Sequence, residues 1–322
     1  MPKPATLLRP LTPDWFARAR LKLRHLQLLV ALDELRNLNR AAQSLGLTQP
    51  AASRLLAEVE QMVGGPVFER RPRGVEPNGL GEVLLRRARI VLVELQQAAT
   101  ELNGLRSGSG GAVAIGAVTA PAVDCVMQAV EAMQRDTPGL QVTVEVEPSA
   151  RLIEGLRRGR LDLALARIPA GVQAGELDYR EVGEEELCFL VREAHPLLGR
   201  DSIALKELLP FTWLLEPAGS LLRQAVEMLF ARHGLPMPGR VINTASILLN
   251  LAALGQGDAV SVVSAPVAAM LGAQGRFRRL PPLQEAERFA VSPYGLIRLR
   301  DRPLSPAAAR LQAVLEPMLF PA

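Results

Sequence analysis

Three side chains near the start of one predicted helix have the chemistry to read a nucleic acid. Gln49, Ser53 and Arg54 fall on the outward face of the stretch TQPAASRLLAEVEQMV, whose opposite face is apolar. Glutamine can make two hydrogen bonds to adenine, arginine can make two to guanine, and serine can hold a phosphate oxygen. The small residues between them would let the helix lie deep in a major groove. The pattern therefore indicates sequence-specific DNA binding.

The preceding residues predict the elements that position this helix. Apolar residues at helical spacing predict a first helix at Leu21–Leu35, and Asn37 can cap a second. Gly46 can end that second helix in the left-handed conformation. Thr48 can cap the third helix, where Pro50 occupies the first turn. Two helices joined by a tight glycine turn are typical of a helix-turn-helix motif, and the alternative is a plain helical subdomain with a solvated polar face.

A basic hairpin follows this motif. The stretch VFERRPRGVEP predicts two short strands, at 67–70 and 75–77, joined by a tip of Arg71, Pro72, Arg73 and Gly74. Basic side chains at such a tip would contact the DNA backbone or the minor groove, where they add affinity without sequence discrimination. A helix-turn-helix with a basic wing favours DNA binding more strongly than the motif alone.

These segments resemble the N-terminal domain of the LysR-type transcriptional regulators. The resemblance rests on LNRAAQSLGLTQPAASRLLAEVEQ and FERRPRGVEPNGLGEVLL, and it extends over nearly the whole chain after residue 20. It implies a winged helix-turn-helix at 21–78 that follows an extension at 1–20. Trp15 and Phe16 of this extension could pack against another part of the chain. Gly64-Gly65 and Pro77-Asn78 depart from the usual family pattern. The DNA-binding residues on this interpretation are Arg40, Thr48, Gln49, Pro50, Ser53, Arg54, Arg71 and Arg73.

A single long helix is predicted at 79–106. Its apolar residues alternate spacings of four and three over about three heptads, which is typical of a coiled-coil seam. Dimerisation through this seam would pair two recognition helices on a roughly palindromic site, and the alternative is a helix packed on its own domain. The family resemblance implies the same dimer, and SGSGG at 107–111 is expected to form a flexible joint. The predicted dimer residues are Leu84, Ala88, Val91, Leu95, Ala98, Leu102 and Leu105.

The remaining residues, 107–322, predict an α/β domain. AVAIGAV and LDLALAR are short buried runs and QVTVEVE alternates, with helical patterns between them at Cys125–Arg135 and Arg151–Gly159. This βαβαβ order predicts a parallel sheet. A second set follows, with strands ELCFLVRE, FTWLLE, RVIN and DAVSVVS and helices at Leu221–His233 and Ser246–Leu254. Two such lobes usually leave a ligand cleft near strand ends and helix N-termini.

GLRRGRLDLAL and REAHPL resemble recurring segments of the LysR-type effector domain, which is similar to periplasmic binding proteins. The resemblance implies a first lobe at about 112–185 and 290–322, a second lobe at about 186–289, and a small-molecule effector in the cleft. Hydroxyls beside helix N-termini would suit a carboxylate or another anion, although each could simply cap its helix. The implied effector-binding residues are Thr119, Ser149, Ser220, Thr244 and Ser246.

Charge and composition exclude several other classes. Residues 1–110 carry 16 Lys and Arg against 10 Asp and Glu, whereas the rest carries 21 against 23, so the positive charge is concentrated in the part predicted to bind DNA. No apolar run approaches the roughly 18–20 residues of a membrane helix, and the start lacks the features of a secretory signal. Cys125 and Cys188 fit a reducing compartment, and we expect inert packing rather than a redox pair.

Enzyme chemistry has little support in the sequence. The three histidines are His25, His195 and His233; His25 lies in the predicted DNA-binding unit, and His195 lies in a His-Pro turn. There is no Gly-x-Ser-x-Gly, phosphate loop or metal-spaced His/Cys set, and GQG is too short for a dinucleotide fingerprint. We therefore expect no catalytic role, no cofactor and no metal.

Together these features predict a cytoplasmic, bacterial LysR-type regulator. Its fold is a winged helix-turn-helix, a long linker helix and a two-lobed α/β effector domain. The resemblance implies double-stranded promoter DNA, further copies of the chain in a homodimer or homotetramer, and RNA polymerase as partners. LKLRHLQLLVALDELRNLNRAA looks most like the branch of galactose-binding-protein and pca-operon regulators, so the expected effector is a carboxylate, an aromatic catabolite or a sugar. The alternatives are an architectural DNA-binding protein without an effector, and an enzyme or transport-type binding protein with an accessory helix-turn-helix.

Overall fold

The computed structural model describes residues 11–12, 14–72, 74–107, 110–169, 171–172, 174–285 and 288–321. The chain divides into two compact units, one of Met1–Ser107 with Arg157–Arg160 and one of the remaining residues. In the described ranges, no helix combines the length and the apolar character needed to cross a membrane.

The N-terminal unit is helical apart from one hairpin. Leucines of the first long helix, Ala41 and Ala42 of the next, and one face of the third form its core. The three helices of the predicted motif and both wing strands are confirmed, with ends shifted by one or two residues. The elements are α1 (Trp15–Arg18), α2 (Leu23–Leu35), α3 (Leu38–Ser44), α4 (Gln49–Val63), β1 (Phe68–Arg71), β2 (Gly74–Pro77) and α5 (Gly79–Ser107).

The second unit alternates strands and helices, as its sequence pattern predicts. In chain order it contains β3 (Ala112–Ala117), α6 (Thr119–Pro121), a π-helical turn (Ala122–Val126), α7 (Met127–Asp136), β4 (Gln141–Val146), α8 (Ser149–Arg157), β5 (Leu163–Ala166), β6 (Leu177–Arg192), β7 (Trp213–Leu215), α9 (Leu221–Arg232), β8 (Val241–Asn243), α10 (Ile247–Leu254), β9 (Val260–Ser264), α11 (Ala265–Ala273), β10 (Phe277–Arg279), β11 (Ala290–Leu299) and α12 (Pro306–Leu319).

The strands form one continuous sheet with two parallel halves. The order is β4-β3-β5-β11-β6-β9-β7-β8, and β10 pairs with β6. β3 is parallel to β4 and β5, and β7 is parallel to β8 and β9, so the predicted parallel pairing is confirmed in both halves. β6 and β11 run antiparallel through the middle. β6 changes partner from β11 at Glu186 to β9 at Leu187, beside the predicted crossing near residue 185.

Three features of the second unit differ from the sequence expectation. β6 begins at Leu177, well before the predicted ELCFLVRE, because its first half carries charged residues that show no apolar alternation. α11 and β10 were not predicted. Helix α11 is apolar or small at almost every position, so it has no polar stripe to reveal a helical period, and β10 has only three residues.

Candidate nucleic-acid interface and effector pocket

Local hydrogen bonds set the starts of both helices of the helix-turn-helix, α3 and α4. The Asn37 side chain accepts a hydrogen bond from the Arg40 N–H at 3.1 Å, and the Thr48 hydroxyl accepts one from the Ala51 N–H at 3.4 Å. Between the two helices, Gly46 has φ +65°. The predicted caps and the left-handed turn are confirmed, and Pro50 lies in the first turn of α4. These short-range contacts define where the recognition helix starts.

Helix α4 buries one face and leaves the other without partners. Ala52 and Val59 are fully buried, while Gln49, Ser53 and Arg54 are exposed. Within the described part of the chain, none of these three polar side chains has a hydrogen-bond or ion-pair partner. They are therefore free to bond to another molecule. Exposed with them are Arg40, Thr48 and Pro50.

A buried histidine fixes the recognition helix against α2. The His25 side chain has no exposed surface, and its Nδ1 accepts a hydrogen bond from the Lys22 N–H at 3.0 Å. Its Nε2 must then carry the proton, which it donates to the Glu58 carboxylate of α4 at 3.0 Å. Sequence reasoning considered His25 only for catalysis. One feature of the sequence could have indicated this structural role: His25 is the third residue of a helix that faces the motif.

The wing is held against the turn between α2 and α3. The Val75 N–H donates to the Arg36 carbonyl at 3.1 Å. Gly74 has φ +131°, and a Cβ at this position would lie 2.3 Å from the Arg36 carbonyl oxygen. Only glycine fits this close approach between two backbone segments.

The basic residues of the wing differ in their surroundings. Arg71 is paired with Glu69 at 3.0 Å and with Glu76 at 3.4 Å, so a phosphate would compete with two carboxylates for it. Arg70, which sequence reasoning did not select, is exposed and has no side-chain partner among the described residues. Arg73 lies outside the described residues.

The predicted dimer seam divides into a packed part and an exposed part. Val91, Leu95 and Leu102 are 42%, 48% and 56% exposed, and Ala98 is exposed as well. Leu84 is half-buried against the core of the N-terminal unit. We remove Ala88 from the seam, because its side chain is 1% exposed and has no surface for a second copy. The Leu105 side chain and residues 108–109 of the SGSGG joint lie outside the described residues.

In the first lobe of the second unit, the carboxyl ends of three adjacent strands carry polar residues. Thr119 follows β3 and is exposed, Ser149 follows β4, and Arg167 directly follows β5. The Ser149 hydroxyl accepts a hydrogen bond from the Arg167 N–H at 3.1 Å, so it joins two strand ends rather than capping its own helix. The sheet thus brings Ser149 to a residue that sequence reasoning had not selected.

Arg167 forms a buried ion pair at the middle of the sheet. Its Nη2 donates to the Glu185 carboxylate of β6 at 2.5 Å, and its Nε donates to the Ser292 carbonyl of β11 at 2.7 Å. The two charged side chains are only 9% and 7% exposed. Register shifts in β11 around Tyr294 leave the Ser292 carbonyl free for this bond. Arg167 therefore joins the end of β5 to both strands that cross between the lobes.

Tyr294 and the two cysteine thiols have raised pKa values. The guanidinium of Arg167 lies 6.0 Å from the centre of the Tyr294 ring. Burial is the main cause that raises the pKa of Tyr294 to about 12, and the negative groups around the ring contribute less. Burial raises the pKa of Cys125 to about 12 and that of Cys188 to about 11. Both cysteines are buried and stay protonated at neutral pH, as expected for packing residues.

The predicted hydroxyls of the second lobe all make local contacts. Ser220 accepts a hydrogen bond from the Arg223 N–H at 3.2 Å, and Ser246 accepts one from the Leu249 N–H at 3.4 Å, so both cap helices. Thr244 accepts a hydrogen bond from the Ser246 N–H at 3.0 Å. These three residues follow β7 and β8, at the carboxyl ends of the second parallel set.

A surface cavity of about 410 Å³ lies elsewhere in the second unit, where β6 meets residues 279–283 and 288–290. It contains none of the predicted hydroxyls. Its charged wall is already neutralised by the pairs Arg279–Glu186 and Arg288–Glu184, at 2.7 and 2.9 Å, so we do not assign the effector to it. The described residues also contain no group of His, Cys, Asp and Glu side chains that could hold a metal ion.

Comparisons with known proteins agree with this architecture. Residues 23–82 match the bacterial regulatory helix-turn-helix protein, LysR family, and residues 106–319 match the LysR substrate binding domain. The chain is 48% identical over 304 residues to the transcriptional regulator GbpR of Azospirillum brasilense, covering 94% of this chain and 88% of that protein. It is 29% identical to PcaQ of Agrobacterium fabrum, covering 92% of this chain and 95% of that protein.

Solved structures show the same fold at lower identity. A full-length OxyR variant from Pseudomonas aeruginosa is 20% identical, with a TM-score of 0.61 over 92% of this chain and 95% of that chain. Full-length CbnR in complex with its target DNA is 23% identical, with a TM-score of 0.57 over 92% of this chain and 99% of that chain. The chain therefore belongs to the LysR family: it is a LysR-type DNA-binding transcriptional regulator with an effector-binding domain, and not an enzyme.

Proposed function

We propose that this regulator reads promoter DNA with the first two turns of α4. The observation that carries the proposal is that Gln49, Ser53 and Arg54 are exposed without partners, on a helix whose other face is buried. Arg54 and Gln49 are suited to base edges and Ser53 to phosphate. Around this surface, the residues proposed to shape the helix start or to contact phosphates are Arg40, Thr48, Pro50, Arg70, Arg71 and Arg73.

Binding to the intergenic DNA upstream of the chain's own gene tests this proposal. The affinity is measured across a salt series, against a scrambled duplex as competitor. We expect protection of a partly palindromic site, with a clear preference over the scrambled duplex. Weak binding that depends steeply on salt and ignores sequence would leave phosphate contacts alone and would favour the architectural alternative.

We propose that the effector binds where the strand ends of the first lobe meet the crossing strands. Thr119, Ser149, Arg167 and Glu185 provide the polar groups there. The Arg167 Nη1 and the Glu185 Oε1 bond to no described protein group, and neither atom is sealed from solvent. The pair has no net charge, so it offers a donor and an acceptor together rather than a site for a bare anion.

This arrangement favours one chemical feature among the expected effector classes. A carboxylate would be repelled by Glu185, whereas a hydroxyl can donate to Glu185 while it accepts from Arg167. Both a sugar and a dihydroxylated aromatic compound present such hydroxyls. Ser220, Thr244 and Ser246 stay in the proposal as the edge contributed by the second lobe. Each uses its oxygen as an acceptor and keeps its O–H to donate to a ligand.

Thermal unfolding with three probes tests the effector chemistry. D-Galactose and catechol carry adjacent hydroxyls without charge, and benzoate carries a carboxylate without hydroxyls. We expect one of the hydroxylated probes to raise the melting temperature of the wild-type chain and not that of Ser149→Ala. A rise with benzoate alone would contradict the proposed chemistry and would restore a simple anion as the effector.

We also propose that the exposed seam of α5 pairs with a second copy of the chain. Val91, Leu95, Ala98 and Leu102 keep the four-three spacing of a coiled coil, and three of them are large apolar residues in water. The proposal also includes the pairing of dimers to a tetramer, contact with RNA polymerase and a cytoplasmic location.

Sedimentation of the Leu95→Glu variant tests the seam, and we expect a shift to a smaller species. An unchanged assembly would place the interface elsewhere.

A further inference from the structure

The segment Asp14–Arg24 forms a basic surface that neither proposed binding site uses. Its charged residues are Arg18, Arg20, Lys22 and Arg24 against Asp14. The four basic side chains are exposed, and Arg18 pairs with Asp14 at 2.7 Å. Arg20 and Lys22 have no side-chain partner within the described ranges. Most of the segment precedes residue 23, where the match to the family helix-turn-helix begins, so the shared domain does not account for it.

This segment is folded onto the DNA-binding domain. The Trp15 side chain is half-buried and packs against the core built by α2, α3 and α4. After α1 the backbone turns at Arg20, whose φ is +56°, and the Leu21 N–H donates to the Phe16 carbonyl at 3.0 Å. The turn brings Lys22 to the start of α2, so the basic side chains project from a defined position.

Arg24 places the start of α2 beside the turn of the helix-turn-helix. Its Nη1 donates to the Leu45 carbonyl at 3.4 Å, and Leu45 is the C-cap of α3, shortly before Thr48 caps the recognition helix. In helix-turn-helix complexes the N-terminal end of the recognition helix enters the major groove, which phosphates flank on both sides. The start of α2 therefore lies at the end of the domain that approaches the DNA backbone.

We propose that Asp14–Arg24 is an additional phosphate-binding surface, with Arg20 and Lys22 each contacting duplex DNA outside the major groove. The partner is DNA because unpaired guanidinium and ammonium groups beside the recognition helix match the polyanion that this helix binds. Phosphate contacts carry no sequence information. The surface therefore increases the affinity for specific and non-specific DNA by the same factor.

A salt series with the full-length chain tests the proposal on two duplexes, the chain's own upstream DNA and a random sequence. Each phosphate contact contributes about −0.9 to the slope of log K against log salt. Lys22→Ala should reduce the slope by about 0.9 and the affinity about five-fold near 0.15 M salt. Arg20→Ala with Lys22→Ala should reduce the slope by about 1.8 and the affinity about thirty-fold. The α2 cap uses the Lys22 backbone N–H, so it survives the substitution.

Two further variants test whether the change in slope comes from a contact of Asp14–Arg24 with DNA or from the lower net charge of the whole chain. Lys206→Ala removes an exposed lysine of the effector-binding domain and should leave the slope unchanged. Trp15→Ala keeps every charge but removes the anchor, and it should reduce the slope as Lys22→Ala does, with a melting curve to verify folding. An unchanged slope in the double variant, or a loss confined to one duplex, would overturn the proposal. An equal loss in Lys206→Ala would overturn it too. Because the random duplex needs no operator, this result is independent of whether the upstream site exists.

Discussion

The recognition helix and the proposed effector pocket differ in whether their polar side chains already have hydrogen-bond partners. On α4, Gln49, Ser53 and Arg54 bond to nothing in the described chain. In the effector-binding domain, four of the five predicted hydroxyls accept a backbone hydrogen bond. DNA brings its own rigid array of groups to an exposed helix, whereas a small ligand needs a pocket whose groups are already oriented. Exposed polar groups without partners are therefore the stronger sign of a macromolecular partner.

The largest expected effect concerns the buried Arg167–Glu185 ion pair of the proposed effector site. Arg167→Met should destabilise the folded chain by about 3–5 kcal/mol, because it leaves Glu185 buried without a counter-charge. Arg279→Met is the matched control, since the Arg279–Glu186 pair is 53% and 60% exposed. Its loss should cost no more than about 1 kcal/mol. Urea unfolding of both variants measures the difference, and similar small losses would mean that water screens the Arg167 pair.

The second prediction concerns Gly74, where the wing meets the turn between α2 and α3. Gly74→Ala should destabilise the N-terminal unit by about 2–3 kcal/mol, because the new methyl group would meet the Arg36 carbonyl. Affinity for all DNA sequences should fall with it. Gly46→Ala meets no atom within 4 Å, so only the left-handed backbone is strained, at about 1 kcal/mol. If Gly46→Ala cost as much as Gly74→Ala, the close approach would not be the cause.

The third prediction separates base reading from phosphate contact. Arg54→Ala and Gln49→Ala should each lose about 1–3 kcal/mol of discrimination at the base pair they contact. Arg70→Ala and Arg73→Ala should weaken binding to specific and random DNA alike. Competition binding with single-base variants of the operator measures both quantities. Equal losses on specific and random DNA for all four substitutions would remove the proposed base-reading roles.

The smallest effects concern the hydroxyls of the effector-binding domain. Ser220→Ala and Ser246→Ala should each cost about 1 kcal/mol through loss of a helix cap. Thr119→Ala should stay within about 0.5 kcal/mol, because Thr119 is exposed and makes no hydrogen bond in the described structure. Chemical denaturation gives these values, and titration with catechol or D-galactose gives the ligand affinity. A serine whose loss lowers stability but not ligand affinity is a cap only.

The exposed and buried faces of α4 were predictable because their signals are local. Apolar spacing defines the buried face of α4, and Asn37, Gly46 and Thr48 each act within three residues of their own position. The Arg167–Glu185 pair was not predictable in this way. Arg167 contacts Glu185 and Ser292, which are 18 and 125 residues away along the chain. A charged residue directly after the buried run LDLALA was the one visible sign of it.

The amino-acid sequence was enough to predict the family, the motif, the parallel strands and the outward face of the recognition helix. Each depends on periodicity or on contacts between near neighbours, which a linear pattern records. Four other findings required the three-dimensional fold: Ala88 is buried, Arg71 is paired, His25 bonds to Glu58, and Arg167 joins both crossing strands. These outcomes depend on which distant segments the fold places together, because burial and charge pairing belong to neighbours in space.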